Sequence, residues 1–167
     1  MESFKHRNTA EQILRAKKKH RTEVDPLSWG KFKYSERNIC NELLEVPFHT
    51  PIDSIDFKNQ EDVQTFYTKY SRKYRPCIIK NAIDEWPCVK DSSLWDPREG
   101  LDKRLRHELV KVGEDDDGRK IRIKYKYFKD YLSTQDDDSP LYLFEVGLDS
   151  SSQMATLQRD YKVNDNF

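Results

Sequence analysis

Hydrophobic and polar positions along the chain change period several times, and each change marks an element. "AEQILRAKKKHR" supports a helix carrying Ile13 and Leu14 inside a basic N-terminal arm, residues 1–24. "DPLSWGKFKYSERN" (25–38) mixes turn formers with Trp29, Phe32 and Tyr34, as expected of irregular chain pinned by its rings. Pro47 and Pro51 favour extended backbone, and a short strand is expected at Ile52–Phe57. Over 61–74, Val63, Phe66, Tyr67, Tyr70 and Tyr74 recur at i, i+3, i+4, i+7 and i+11, which predicts an amphipathic helix. Arg75–Pro76 stops it, and "CIIK" (77–80) reads as a short buried strand.

A short helical piece is then expected to end near Leu109. Val110 and Val112, then Ile121, Ile123 and Tyr125, alternate with polar residues around a Gly-Glu-Asp-Asp-Asp-Gly tip, the pattern of a β-hairpin. "YFKDYL" (127–132) suits one or two helical turns. "DDDSPLYLFE" (136–145) reads as a solvated acidic turn before an extended apolar segment, and residues from Asp149 onward read as a polar tail.

Composition sharpens this picture. Charged residues make up 36% of the 167, hydrophobic ones only 35%, yet nine Tyr, eight Phe and three Trp argue for a folded, ring-rich core. Such low aliphatic content fits a piece of a larger fold. Net charge is zero, but residues 1–35 hold nine Lys/Arg against four acids. Cys40, Cys77 and Cys88 form no CxxC pair and read as reduced thiols of an intracellular protein. No apolar run has the length of a membrane span.

Candidate chemistry is sparse. An EF-hand loop ending at Gly118 would require an oxygen ligand at 113 and an acid at 124, where Gly113 and Lys124 stand. His6, His20, His49 and His107 are scattered, and none has an acid two residues on, so no facial triad is present. Gly-x-Ser-x-Gly and phosphate-loop patterns are absent as well. "KKKHR" and "KIRIKYKY" (120–127) interleave bases with rings, a pattern open to nucleic acid or to a plain solvent face. Catalytic and metal-binding residues are therefore expected to be none in this chain.

Three stretches together are more specific than any one: "YRPCIIKNAIDEW" (74–86), "GEDDDGRKIRIKYKYFKDYLSTQDDDSPLYLFE" (113–145) and "LQRDYKV" (157–163). With "DPLSWGKFKY" after the basic arm, they resemble the Jumonji-C (JmjC) oxygenases, in the branch of arginine demethylases and lysyl hydroxylases. The resemblance implies an α+β fold: a helical flank plus the first strands of a double-stranded β-helix (cupin/JmjC jelly roll), incomplete here. Residues 25–167 would be the N-terminal portion of the oxygenase domain, truncated before the iron-binding strands. It further implies Fe(II) and 2-oxoglutarate, neither expected to bind well to this chain alone. Splicing-factor or histone substrates, RNA and nuclear residence are implied too. Position by position, "SPLYLFE" places Tyr142 where the family's tyrosine contacts the distal carboxylate of 2-oxoglutarate. From the residues alone a core tyrosine stays open. The expectation is a fragment without catalysis of its own, the alternative an RNA- or splicing-protein-binding module using the basic segments.

Overall fold

The computed structural model describes residues 2–37, 41, 51–56, 60–149 and 151–161, the side chains of 2–7 and 60 apart. Phe57 of the expected strand, His49 and Cys40 lie outside that set, as does the side chain of His6.

Helix α1 covers Glu2–His20 and ends on four bases, Lys17 to His20, where the helix dipole favours positive charge. Ile13 and Ala16, three residues apart, share its buried face. Strand β1 (Ser54–Asp56) pairs in parallel with β2 (Ile78–Lys80), Ser54 opposite Ile78. Between them α2 (Gln60–Thr65) passes into a π turn at Phe66–Tyr70 and a 3-10 turn at Ser71–Lys73.

The single helix expected over 61–74 is thus broken, and its apolar face is shorter than the spacing implied. Val63 and Tyr70 are buried, but Tyr74 is 97% exposed. It occupies a left-handed C-terminal position, φ 53°, ahead of Arg75–Pro76, a pair that cannot prolong a helix. The burial expected of "CIIK" also fails. Ile78 is 53% exposed because only one parallel neighbour flanks this strand among the described residues.

A short helix α3 (Pro87–Lys90) and a 3-10 turn (Ser92–Trp95) lead to α4 (Gly100–Leu105). The hairpin expected from alternation is present: β3 (Leu109–Glu114) pairs antiparallel with β4 (Lys120–Lys124), Val110 opposite Ile123. One strand holds an extra residue between Lys111 and Gly113. At the tip, the Asp115 carboxylate accepts the N–H groups of Asp117 and Arg119, and Gly118 supplies φ 75°. Helix α5 (Tyr125–Leu132) starts two residues before the expected turn, since Tyr125 leaves the strand to bury its ring.

The polar tail is a correction. Residues 152–160 form α6 (Ser152–Thr156) and a 3-10 turn, with Ser151 Oγ accepting the Met154 N–H at 3.1 Å. Met154 and Leu157 join the core. That core gathers Ile13 and Ala16 of α1, Trp29, the inner face of the hairpin, Tyr125, Phe128 and Tyr131 of α5, and Leu141. Rings supply much of it, as composition requires. The architecture is α+β, and no described helix is long and apolar enough to cross a membrane.

Candidate functional site

Pro140 holds the residue before it extended, and the chain beyond alternates with period two. Leu141 is buried, Leu143 packs against the core, and the Glu145 side chain is 6% exposed. Tyr142, Phe144 and Val146 point the other way, at 55%, 54% and 77% exposed. Alternation of this kind is what a strand in half-buried position requires. The segment runs beside β3: the Phe144 N–H donates to the Lys111 carbonyl at 3.1 Å, and the Lys111 N–H donates to Glu145 Oε2 at 3.3 Å.

Buried polar ties fix the segment at both ends. Upstream, the Tyr131 O–H donates to the Asp137 carboxylate, and Tyr131 Oη accepts the Leu141 N–H at 3.0 Å. Lys17 of α1 reaches both Asp137 oxygens at 2.6 Å, with side-chain exposures of 12% and 6%. Its ammonium also lies 5.2 Å from the Trp29 ring and 5.5 Å from the Tyr131 ring. Asp138 accepts the N–H groups of Phe32 and Tyr34 at 2.6 and 2.8 Å and donates its own N–H to the Trp29 carbonyl. Asp137 and Asp138, read from the sequence as a solvated turn, instead tie the segment to α1 and to residues 29–34.

Downstream, Arg122 grips Glu145 with both Nη atoms, at 2.9 and 3.1 Å, in the fork geometry that gives such pairs their specificity. Arg122 also donates to the Leu109 carbonyl at 2.9 Å. Lys111, itself buried, pairs with Glu114 and lies 5.4 Å from the Phe144 ring centre. The hydrogen bond from Lys111 holds Glu114 below the usual carboxylate range. Burial, then the O–H donated to Asp137, pushes the Tyr131 phenol far above its ordinary value, so it stays a donor at neutral pH.

What emerges is a wall. The Tyr142 and Phe144 rings meet edge to face at 6.5 Å. The Tyr142 O–H forms no hydrogen bond among the described residues, so it is available to a ligand. A lone phenol over an apolar floor can orient one end of a small carboxylate but not enclose it. Among the described residues no three His, Cys, Asp or Glu side chains converge as a metal donor set. His20 Nδ1 is instead within 2.6 Å of the Glu114 carbonyl, and His107 is exposed.

Reading the sequence missed Lys111, Arg122 and Glu145. The bases of 120–127 look like a solvent face, yet Arg122 stands directly across from Lys111. Like charges so placed repel unless an acid answers them, and that need was the available signal for Glu145. Of the two rings in "KIRIKYKY", Tyr125 is 2% exposed, while Tyr127 is half-buried with the Lys126 ammonium 4.8 Å from its ring centre.

No family profile matches the chain. A Caenorhabditis elegans protein named bifunctional arginine demethylase and lysyl-hydroxylase psr-1 is 35% identical over 155 residues, 93% of this chain and 36% of that protein. A Caenorhabditis briggsae protein of the same name is 32% identical over 152 residues, 91% of this chain and 36% of its own length. This chain is a homologue of the bifunctional arginine demethylase and lysyl-hydroxylases. The likeness runs through nine-tenths of the chain, including both ends of the anchored segment. The chain spans about a third of the length of these relatives.

Proposed function

We propose that this chain forms one wall of a JmjC-type protein oxygenase site, with Tyr142 as a contact of 2-oxoglutarate. The observation that carries the reading is the Tyr142 phenol: outward-facing, without an internal partner among the described residues, and on a segment tied down at both ends. In that role the O–H donates to a carboxylate of the co-substrate, while the Phe144 ring covers one side of the phenol. Arg122 and Glu145 set the position of the strand. The hairpin and residues 141–146 would be the first strands of a double-stranded β-helix.

The described residues do not supply an iron donor set, so no metal-dependent step is assigned to this chain. Iron and 2-oxoglutarate are proposed as the cofactors of the longer relatives' reaction, and the isolated chain is proposed to be inactive. Lysine hydroxylation or arginine demethylation of protein substrates is the reaction class the relatives' names support. Splicing-factor or histone substrates, RNA and a nuclear setting are part of the same proposal.

A chimera tests it: this chain replacing the matched stretch of the Caenorhabditis elegans relative. Tyr142→Phe should raise the 2-oxoglutarate KM about tenfold, the loss of one hydrogen bond to a charged group, with kcat little changed. An unchanged KM would remove Tyr142 from the site.

A further inference from the structure

Helix α5 ends on Ser133, and acids follow at a particular spacing. In "STQDDD" (133–138) carboxylates stand three, four and five residues beyond the Ser133 hydroxyl. Acidophilic protein kinases select such a pattern, because lysines and arginines in their substrate groove receive carboxylates just past the reacting hydroxyl.

The structure separates the three acids. Asp137 is held by Lys17, and Asp138 by two backbone N–H groups. Asp136 is exposed, and its carboxylate accepts no hydrogen bond among the described residues. Ser133 is exposed as well, and its Oγ makes one long bond, donating to the Lys129 carbonyl at 3.4 Å. The hydroxyl and the acid three residues beyond it are therefore both open to a kinase. Thr134 also has an acid at that distance, but it is Asp137, whose side chain is 6% exposed and engaged by Lys17. Ser139 has Tyr142 there.

A cleft of about 270 Å³ opens beside Ser133, between Lys129 and Leu132 on one side and residues 96–98 on the other. The far wall is fixed. The Tyr125 O–H donates to the Pro97 carbonyl at 3.0 Å, and Asp96 Oδ1 accepts the N–H groups of Arg98 and Glu99 at 2.8 and 2.9 Å. Arg98 is exposed, and its guanidinium forms no ion pair among the described residues. Lys129 is already engaged, 3.2 Å from Asp102 and 3.8 Å from Asp130. A phosphate at a helix C-terminus meets the negative end of the helix dipole and destabilises unless a cation answers it. Arg98 offers that cation across the cleft, with a planar fork suited to phosphate oxygens.

We propose that Ser133 is a phosphorylation site for a kinase of the acidophilic class, and that Arg98 receives the phosphate across the cleft. The kinase transfers the γ-phosphoryl group of ATP to Ser133 Oγ. The new O–P bond forms as the bond from that phosphorus to the bridging oxygen breaks; ADP leaves, and the hydroxyl proton is released. The product, close to a dianion at neutral pH, ties the end of α5 to residues 96–98. The inference is independent of the oxygenase reading and uses none of the residues placed in that site.

The test incubates the 167-residue chain with a purified serine/threonine kinase of the Ser-x-x-Asp/Glu class and Mg-ATP, and mass spectrometry locates the phosphate. Phosphate is expected on Ser133, absent in Ser133→Ala and kept in Thr134→Ala. Asp136→Ala should slow its incorporation about tenfold, the loss of one charge-assisted contact with the kinase. Phosphorus NMR then follows the second ionisation of the phosphate. It should occur at lower pH than in a synthetic phosphopeptide of residues 128–138, because a nearby guanidinium favours the dianion. Arg98→Ala, at an exposed position and checked for folding by circular dichroism, should return it to the peptide value. Phosphorylation of the unmodified 128–138 peptide but not of the folded chain would overturn the proposal, as would phosphate on Thr134 or Ser139 in place of Ser133. A phosphate on Ser133 that titrates as in the peptide, whether or not Arg98 is present, would overturn the role of the cleft.

Discussion

Asp138 accepts two backbone N–H groups from residues 32–34, two charge-assisted bonds that tie this exposed loop to the segment before Pro140. Asp138→Ala should therefore lower unfolding free energy by about 1–3 kcal/mol, read from urea denaturation. Tyr131→Phe removes the acceptor of the Leu141 N–H and a donor to Asp137, and a loss of about 1–3 kcal/mol is expected in the same assay. Gly100 is fixed by space rather than by φ: a Cβ would stand 2.2 Å from the Leu94 carbonyl oxygen. Gly100→Ala must move backbone, and should destabilise far more than an ordinary surface change. Tyr125 provides a pH signature. Burial, then the carboxylates of Asp102 and Asp96, hold its phenol up at about 12, while an unfolded tyrosine ionises near pH 10. The folded state binds the extra proton between those values, so this contribution to stability is complete below about pH 10 and is lost as pH climbs towards 12. A Tyr125→Phe variant should lose less of its stability over that alkaline window.

At the scale of elements, α6 is held by a buried carboxylate. Asp160 takes the Trp95 Nε1–H at 2.9 Å and the Arg104 guanidinium. Asp160→Ala leaves that guanidinium without its acid, and a cost of about 3 kcal/mol follows, with loss of protection in residues 152–160 by hydrogen exchange. This element was not legible in the sequence, because Met154 and Leu157 are two apolar positions among Ser, Gln and Arg. Their burial depends on α4 and on a salt bridge across 56 residues. The hairpin, by contrast, was legible, since Val110, Val112, Ile121 and Ile123 state the period twice and the tip names its turn. The acids at 137 and 138 were misread for the same reason as Asp160. A buried acid is defined by its partner, and Lys17 lies 120 residues from Asp137. Tyr142 itself came from resemblance; alternation between Leu141 and Phe144 explains only why it faces outward.

At the scale of the described molecule, one hairpin organises the surfaces on either side of it. The β3 side presents the Tyr142 and Phe144 rings, the β4 side presents Lys and Arg paired across the ladder or to Glu145, and α1 ties down Asp137 through Lys17. On the function proposed above, this chain supplies one wall of the site, and the iron donors are proposed to come from sequence that its relatives possess beyond the matched third. Iron-dependent release of succinate from 2-oxoglutarate tests this most directly, measured for the 167-residue chain and for the chimera with the Caenorhabditis elegans relative. Turnover is expected from the chimera and none from the chain. Turnover by the chain alone, or a folded chimera without turnover, would contradict that proposal.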